Sequence, residues 1–247
     1  MRTIVVGASS GLGRCIGIDR GRRGDRVALL ARRADLLATA AKEAGDDAVA
    51  VTCDVTDETS CRQAVGQAVA ALGGLDAVVY ATGVGTLQRI EDVDAAGWQR
   101  AFATNVIGAS LVTAAAMPHL EETTGVMAYL STVQGQLTPP WPGLGAYAVS
   151  KAALNKLIEV WRAEHPRVGF TRITVGECGG GEGDGVSQFA NGWDGDLAGE
   201  LMPIWIERHY MTGLLVELGE ILRTVDGVLS LGATASIPEV TVMPRHQ

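Results

Sequence analysis

The chain has 247 residues, 47% of them hydrophobic, which suits one sizeable core better than two small ones. A formal charge of −8 argues against a broad nucleic-acid or anionic-membrane surface, so neither partner is expected. Cys15, Cys53, Cys61 and Cys178 form no CxxC pair and no ligand spacing with His119, His165, His209 or His246, so disulfides and a metal site are not expected either.

No signal-peptide pattern opens the chain and no uninterrupted apolar run reaches membrane-spanning length; a soluble, cytoplasmic protein is the expectation. Residues 3–6 form a β-rich run that ends on a glycine loop. A helix should follow from about 10–12 to 22, stopped at Gly24-Asp25. Residues 27–31 make a second strand, 36–44 a helix and 49–53 a third strand. A helix over 58–72 is ended by Gly73-Gly74, and 75–80 form the fourth strand.

The same beat continues with a long helix over 98–117 broken near Gly108, a strand over 125–131, a helix over 145–164 and strands over 170–175 and 237–243. Short apolar strands alternating with crossover-length helices specify an α/β fold. The expectation is a single doubly wound Rossmann-type domain over 1–247, its mostly parallel sheet covered by helices on both faces. Glycine, 32 residues in all, concentrates at 7–13, 83–85 and 176–185, where strands should exit. In such a sheet the ligand crevice opens at the strands' carboxyl ends.

The segment Gly7-Ala8-Ser9-Ser10-Gly11-Leu12-Gly13 lies between a strand and a helix. Gly7 permits the tight turn, Gly11 lets backbone approach phosphates and Gly13 allows close helix packing. Ser9, Ser10 and Leu12 then stand where the helix amides meet a pyrophosphate. The second strand ends in Arg32 and Arg33, where a cofactor without a 2′-phosphate would meet an acid. Two guanidinium groups favour NADP(H) over NAD(H) through charge-assisted bonds to phosphate oxygens. Asp54 is placed to accept from an adenine amino group, with Val55 packing nearby, or to cap the following turn. Ala81 and Gly83, at the fourth strand's exit, bring backbone close to the cofactor.

Tyr147 and Lys151 are four apart in Tyr-Ala-Val-Ser-Lys and share one face of a helix. A phenol near pKa ~10 is a poor acid or base at neutral pH on its own, and a neighbouring cation favours its ionised form. Such a pair suits a proton transfer accompanying hydride movement.

Together these residues resemble the short-chain dehydrogenase/reductase family over residues 3–175. Asn105, Ser131, Tyr147 and Lys151 match the family's catalytic set in order and context. The resemblance implies reversible hydride transfer between a nicotinamide cofactor and a carbonyl or secondary alcohol. Tyr147 would serve as acid/base, Lys151 would lower its pKa and bind the ribose, and Ser131 would hold the substrate oxygen. Asn105 would shape its helix and anchor a water. A homodimer or homotetramer is also implied by resemblance.

Four segments depart from the family pattern. Tyr80-Ala81-Thr82-Gly83 replaces Asn-Asn-Ala-Gly, and Ser131 and Tyr147 stand 16 apart rather than about 13. The extra residues, Gln136 to Gly143, are stiffened by prolines and offer Trp141 as a pocket wall. Residues 176–185 lack the family's Pro-Gly and threonine, and Glu177, Glu182 and Asp184 would repel a phosphate. The ending after 243 is short. Between 187 and 210 lie Phe189, Trp193, Met202, Trp205 and Ile206; the resemblance implies a lid here, with Trp193 on the pocket, which would suit a fairly apolar small molecule, and core packing explains a Trp or Met as readily. Two other functions fit the same scaffold: a non-redox enzyme such as an epimerase or dehydratase, or a catalytically weak nucleotide-binding regulator.

Overall fold

A computed structural model describes residues 1–181, 187–231 and 233–245. The seven strands are β1 (Arg2–Val6), β2 (Arg26–Ala31), β3 (Val49–Thr52), β4 (Ala77–Tyr80), β5 (Val126–Thr132), β6 (Gly169–Val175) and β7 (Glu239–Val242). They form one sheet in the order β3-β2-β1-β4-β5-β6-β7, and every pairing is parallel. Strand order reverses beside β1, where Val6 pairs with Leu30 on one side and Tyr80 on the other. That reversal opens a crevice at the strands' carboxyl ends.

Two-residue periodicity divides β1 between two layers. Ile4 and Val6 join the core beneath α3 (Glu58–Leu72), α5 (Gly108–Thr123) and α6 (Gly145–Glu164). Val5 joins the core beneath α1 (Gly11–Arg22), α2 (Ala34–Ala44) and α8 (Leu218–Leu229). Helix ends follow local chemistry. The Asp57 carboxylate accepts from Ser60 N at 2.7 Å to start α3, and Gly73, at φ +74°, ends it.

The long helix expected over 98–117 runs from Ala95 to Thr123, and its irregularity lies ahead of Gly108. α4 (Ala95–Phe102) passes through a π-helical turn at Ala103–Ile107 into α5. The extra residue per turn brings Asn105 fully inside. This helix is long and apolar enough to cross a membrane by length and composition, unlike the sequence-based expectation. Here Ala109, Val112, Ala116 and Leu120 bury one face of it against the sheet. Two helices without a sequence assignment, α7 (Gly195–Glu207) and α8, lie between β6 and β7. A third apolar cluster of Leu87, Leu144, Leu201 and Trp205 brings α7 against the loop after β4 and the start of α6.

Candidate active site

The crevice holds a cavity of about 660 Å³, lined from Arg32, Arg33, Asp54 and Val55 at one end to Tyr147 and Lys151 at the other. Gly7, Ser9, Ser10, Gly11 and Leu12 form its floor, and Ala81, Thr82 and Gly83 its flank. Gly7 has φ +87°, and a Cβ there would stand 2.7 Å from Thr82 Oγ1. A Cβ on Gly13 would stand 2.5 Å from the Gly7 carbonyl oxygen, so α1 begins pressed against its own loop.

The two arginines after β2 divide. Arg33 reaches back over the loop, its Nη2 donating to Ser9 Oγ at 2.9 Å and to Ser10 Oγ at 2.5 Å. Arg32 stays exposed, and its charge helps hold the Asp54 carboxyl below its usual range, after the Thr56 N–H, which contributes most. Asp54 Oδ1 accepts from Thr56 N at 2.9 Å and from Thr56 Oγ1 at 2.8 Å, so of its two expected roles the turn cap is made here. Arg14 points away to Glu43, at 2.6 Å.

These groups fit a phosphorylated dinucleotide: a guanidinium on two serine hydroxyls, with no carboxylate partner among the described residues, then a close backbone cradle and a helix N-terminus. The Thr82 hydroxyl oxygen, buried beside Gly7, has no hydrogen-bond partner among the described residues, as suits an atom whose partner belongs to a ligand.

At the far end, α6 presents Tyr147 and Lys151 together. Lys151 Nζ donates to the Leu130 carbonyl at 2.8 Å, and burial lowers its pKa to about 8. Burial also pushes the Tyr147 phenol up to about 12, while the Thr132 hydroxyl pulls the other way. The expected lowering of Tyr147 by its i+4 cation is absent in this form: desolvation raises the phenol's pKa, and the ammonium is held on the Leu130 carbonyl.

Asn105 clamps the wall. Its Oδ1 accepts from Val84 N at 2.9 Å, and its Nδ2 donates to Val84 O at 2.9 Å and to Ser150 Oγ at 2.8 Å. Ser150 Oγ in turn donates to the Tyr147 carbonyl at 2.8 Å. With both N–H groups engaged by protein, Asn105 holds the loop after β4 against α6, which fits the helix-shaping role.

Ser131 lines the cavity, but its hydroxyl is turned to Asn155 Oδ1, at 2.6 Å, on α6. The hydroxyl beside the phenol belongs to Thr132. This corrects the assignment of Ser131 as the group that meets the substrate oxygen. Neighbouring strand residues face opposite ways, and the sequence offers two adjacent hydroxyls without saying which faces the crevice.

Of the five expected lid residues, Phe189 and Trp193 line the cavity, Trp205 sits in the third core cluster, and Met202 and Ile206 are exposed. Phe189 packs edge-on to Tyr147, ring centroids 4.8 Å apart, and Trp193 Nε1 donates to the Gly85 carbonyl at 3.0 Å. Trp141 stacks on Tyr210 at 6.2 Å and lies 5.4 Å from Trp205. Trp141, Phe189 and Trp193 all line the cavity. Glu177, expected to repel phosphate, instead accepts from Thr212. Glu182 and Asp184 lie outside the described residues.

Comparison with known proteins agrees with this geometry. The family model described as short chain dehydrogenase matches residues 2–186. An 11-beta-hydroxysteroid dehydrogenase A of Sesamum indicum is 32% identical over 179 residues, 70% of this chain and 51% of that protein. The chain thus spans about half the length of that relative. Among solved structures, a 3-ketoacyl-ACP reductase from Sinorhizobium meliloti superimposes with a TM-score of 0.82 at 23% identity, covering 98% of this chain and 96% of that one. An alcohol dehydrogenase from the archaeon Thermococcus sibiricus, complexed with 5-hydroxy-NADP, gives 0.80 at 22% identity, covering 97% and 94%.

Proposed function

Because the chain belongs to the short-chain dehydrogenase family, we propose that it is an NADP(H)-preferring oxidoreductase acting on a small, apolar carbonyl compound or the matching secondary alcohol. The observation that carries this is the meeting of Tyr147, Thr132 and Lys151 at one end of a cleft whose other end holds Arg33 over Ser9 and Ser10. The dinucleotide, when bound, supplies the hydride.

This chain supplies the rest. At neutral pH the buried Tyr147 phenol keeps its proton, the form needed to donate to a carbonyl oxygen as it gains charge. The Thr132 hydroxyl supports that oxygen with a second hydrogen bond, beside the aromatic rings of Phe189 and Trp193. Lys151, still largely protonated at neutral pH, keeps its positive charge at this end of the cleft, anchored on Leu130. Asn105, through Ser150 and the Tyr147 carbonyl, keeps the first turn of α6 in place. The phosphorylated cofactor is supported by the Arg33 guanidinium held over Ser9 and Ser10, and the apolar substrate by Trp141, Phe189 and Trp193.

The test is oxidation of NADPH by the purified chain with a panel of apolar ketones. Wild type should turn over at least one, and Tyr147→Phe should be slower by about 10²-fold or more. A Tyr147→Phe variant as fast as wild type would remove the phenol from the chemistry.

A further inference from the structure

The loop that follows β6 carries Glu177 where it borders the cavity. Its carboxylate is fully engaged by one neighbour: Thr212 N lies 2.9 Å from Oε1 and 3.1 Å from Oε2, and Thr212 Oγ1 donates to Oε1 at 2.8 Å. The backbones are joined beside it. Val216 N donates to the Glu177 carbonyl at 2.8 Å, and Cys178 and Val216 form a parallel bridge.

The segment tied down in this way begins where α7 ends. Tyr210, stacked on Trp141, leads into it, and Met211 and Leu215 line the same cavity as Glu177. Thr212 to Leu215 are all exposed, so Leu215 borders the cavity from its open rim while Met211 is half-buried. The Glu177 carboxylate is thus a side-chain tie between the strand-anchored floor of the site and its outer apolar wall.

We propose that Glu177 is a positioning residue, a latch that sets the substrate-side wall of Met211 and Leu215 by accepting from Thr212. This rests on the reductase assignment above for what the wall contacts, though not for the latch itself. Glu177 holds no reacting atom. Its effect is on how well an apolar substrate is seated, so it should act on KM more than on kcat.

The test compares Glu177→Ala and Glu177→Gln with wild type in the full chain. Readouts are NADPH affinity by fluorescence, KM and kcat with 1-tetralone and cyclohexanone as probes, and the rate of chymotryptic cleavage after Leu214 and Leu215. In Glu177→Ala, cleavage should quicken about 10-fold and KM should rise about 10-fold, with kcat and NADPH affinity changed less than about 3-fold, as loss of charge-assisted bonds at the wall implies. Glu177→Gln keeps an acceptor oxygen and should recover most of both.

Unchanged cleavage and KM in Glu177→Ala would overturn the latch. So would parallel losses in NADPH affinity, kcat and KM, or a glutamine variant as impaired as alanine. If wild type reduces neither ketone, the reductase assignment fails on these probes, while cleavage rates still decide the latch.

Discussion

Ser131 Oγ donates to Asn155 Oδ1 at 2.6 Å, joining the end of β5 to the middle of α6 and leaving Thr132 to face Tyr147. The two adjacent hydroxyls therefore do different work. Thr132→Val should lower kcat about 10²- to 10³-fold, as loss of a donor to a developing oxyanion does. Ser131→Ala should leave kcat within a few-fold while destabilising the fold by about 1–3 kcal/mol, because Asn155 loses a buried partner. Steady-state kinetics and urea unfolding of both variants check this, and a reversed pattern would restore Ser131 to the site.

Lys151 has a folded pKa of about 8 against an ordinary 10.5, through burial. Below about 8 the folded and unfolded chains both hold the proton, and the folded state carries the full penalty of a buried charge. Between about 8 and 10.5 the unfolded chain binds the proton that the folded chain releases, so this group's contribution to stability rises with pH. Lys151→Met removes the effect. The stability of the variant relative to wild type should fall by about 3 kcal/mol at most across that window. Denaturant unfolding at a series of pH values measures it, and a difference that stays flat with pH would refute it.

Arg33 Nη2 touches Ser9 and Ser10 while Arg32 sits exposed toward Asp54. Arg33→Ala should therefore weaken NADPH binding about 10- to 100-fold and NADH binding by only a few-fold, as loss of a charge-assisted phosphate contact implies. Arg32→Ala should discriminate less between the two. Equal losses for both nucleotides in Arg33→Ala would contradict a 2′-phosphate site.

Gly85 lies beneath Phe189, and a Cβ there would stand 2.4 Å from that ring and 3.3 Å from Tyr147 Cδ2. Gly85→Ala must push Phe189 off the phenol and disturb the Trp193 bond to the Gly85 carbonyl. A loss of about 1–3 kcal/mol, as for other overpacked sites, is expected. A shift in tryptophan emission should accompany it, since Trp193 gains exposure. Wild-type stability with unchanged emission would show that the lid does not rest on this position.

Helix α3 was legible residue by residue, because Asp57 caps its start and Gly73-Gly74 ends it. β7 was legible only as a stretch: the expected 237–243 narrows to Glu239–Val242, the part with a partner in β6. Helices α7 and α8 received no assignment from the sequence, although α8 carries a helical apolar stripe of Ile221, Val225, Val228 and Leu229. The glycine loop, the arginine pair and the Tyr147–Lys151 spacing were readable for the same reason as α3: each depends on neighbours within a turn of helix or a strand's length.

By itself, then, the sequence determined an alternating α/β chain with a nucleotide loop, a pair of arginines at the second strand's exit and a phenol one helical turn from an amine. Tertiary structure decided which hydroxyl meets that phenol, where the Glu177 carboxylate points and which aromatic rings border the crevice. Those outcomes hang on Ser131 with Asn155, Glu177 with Thr212 and Trp193 with Gly85, pairs separated by 24, 35 and 108 positions. Local periodicity fixes which face of an element is apolar. It carries no information on which distant donor or acceptor will stand opposite a given polar atom, because that is set only when the layers pack.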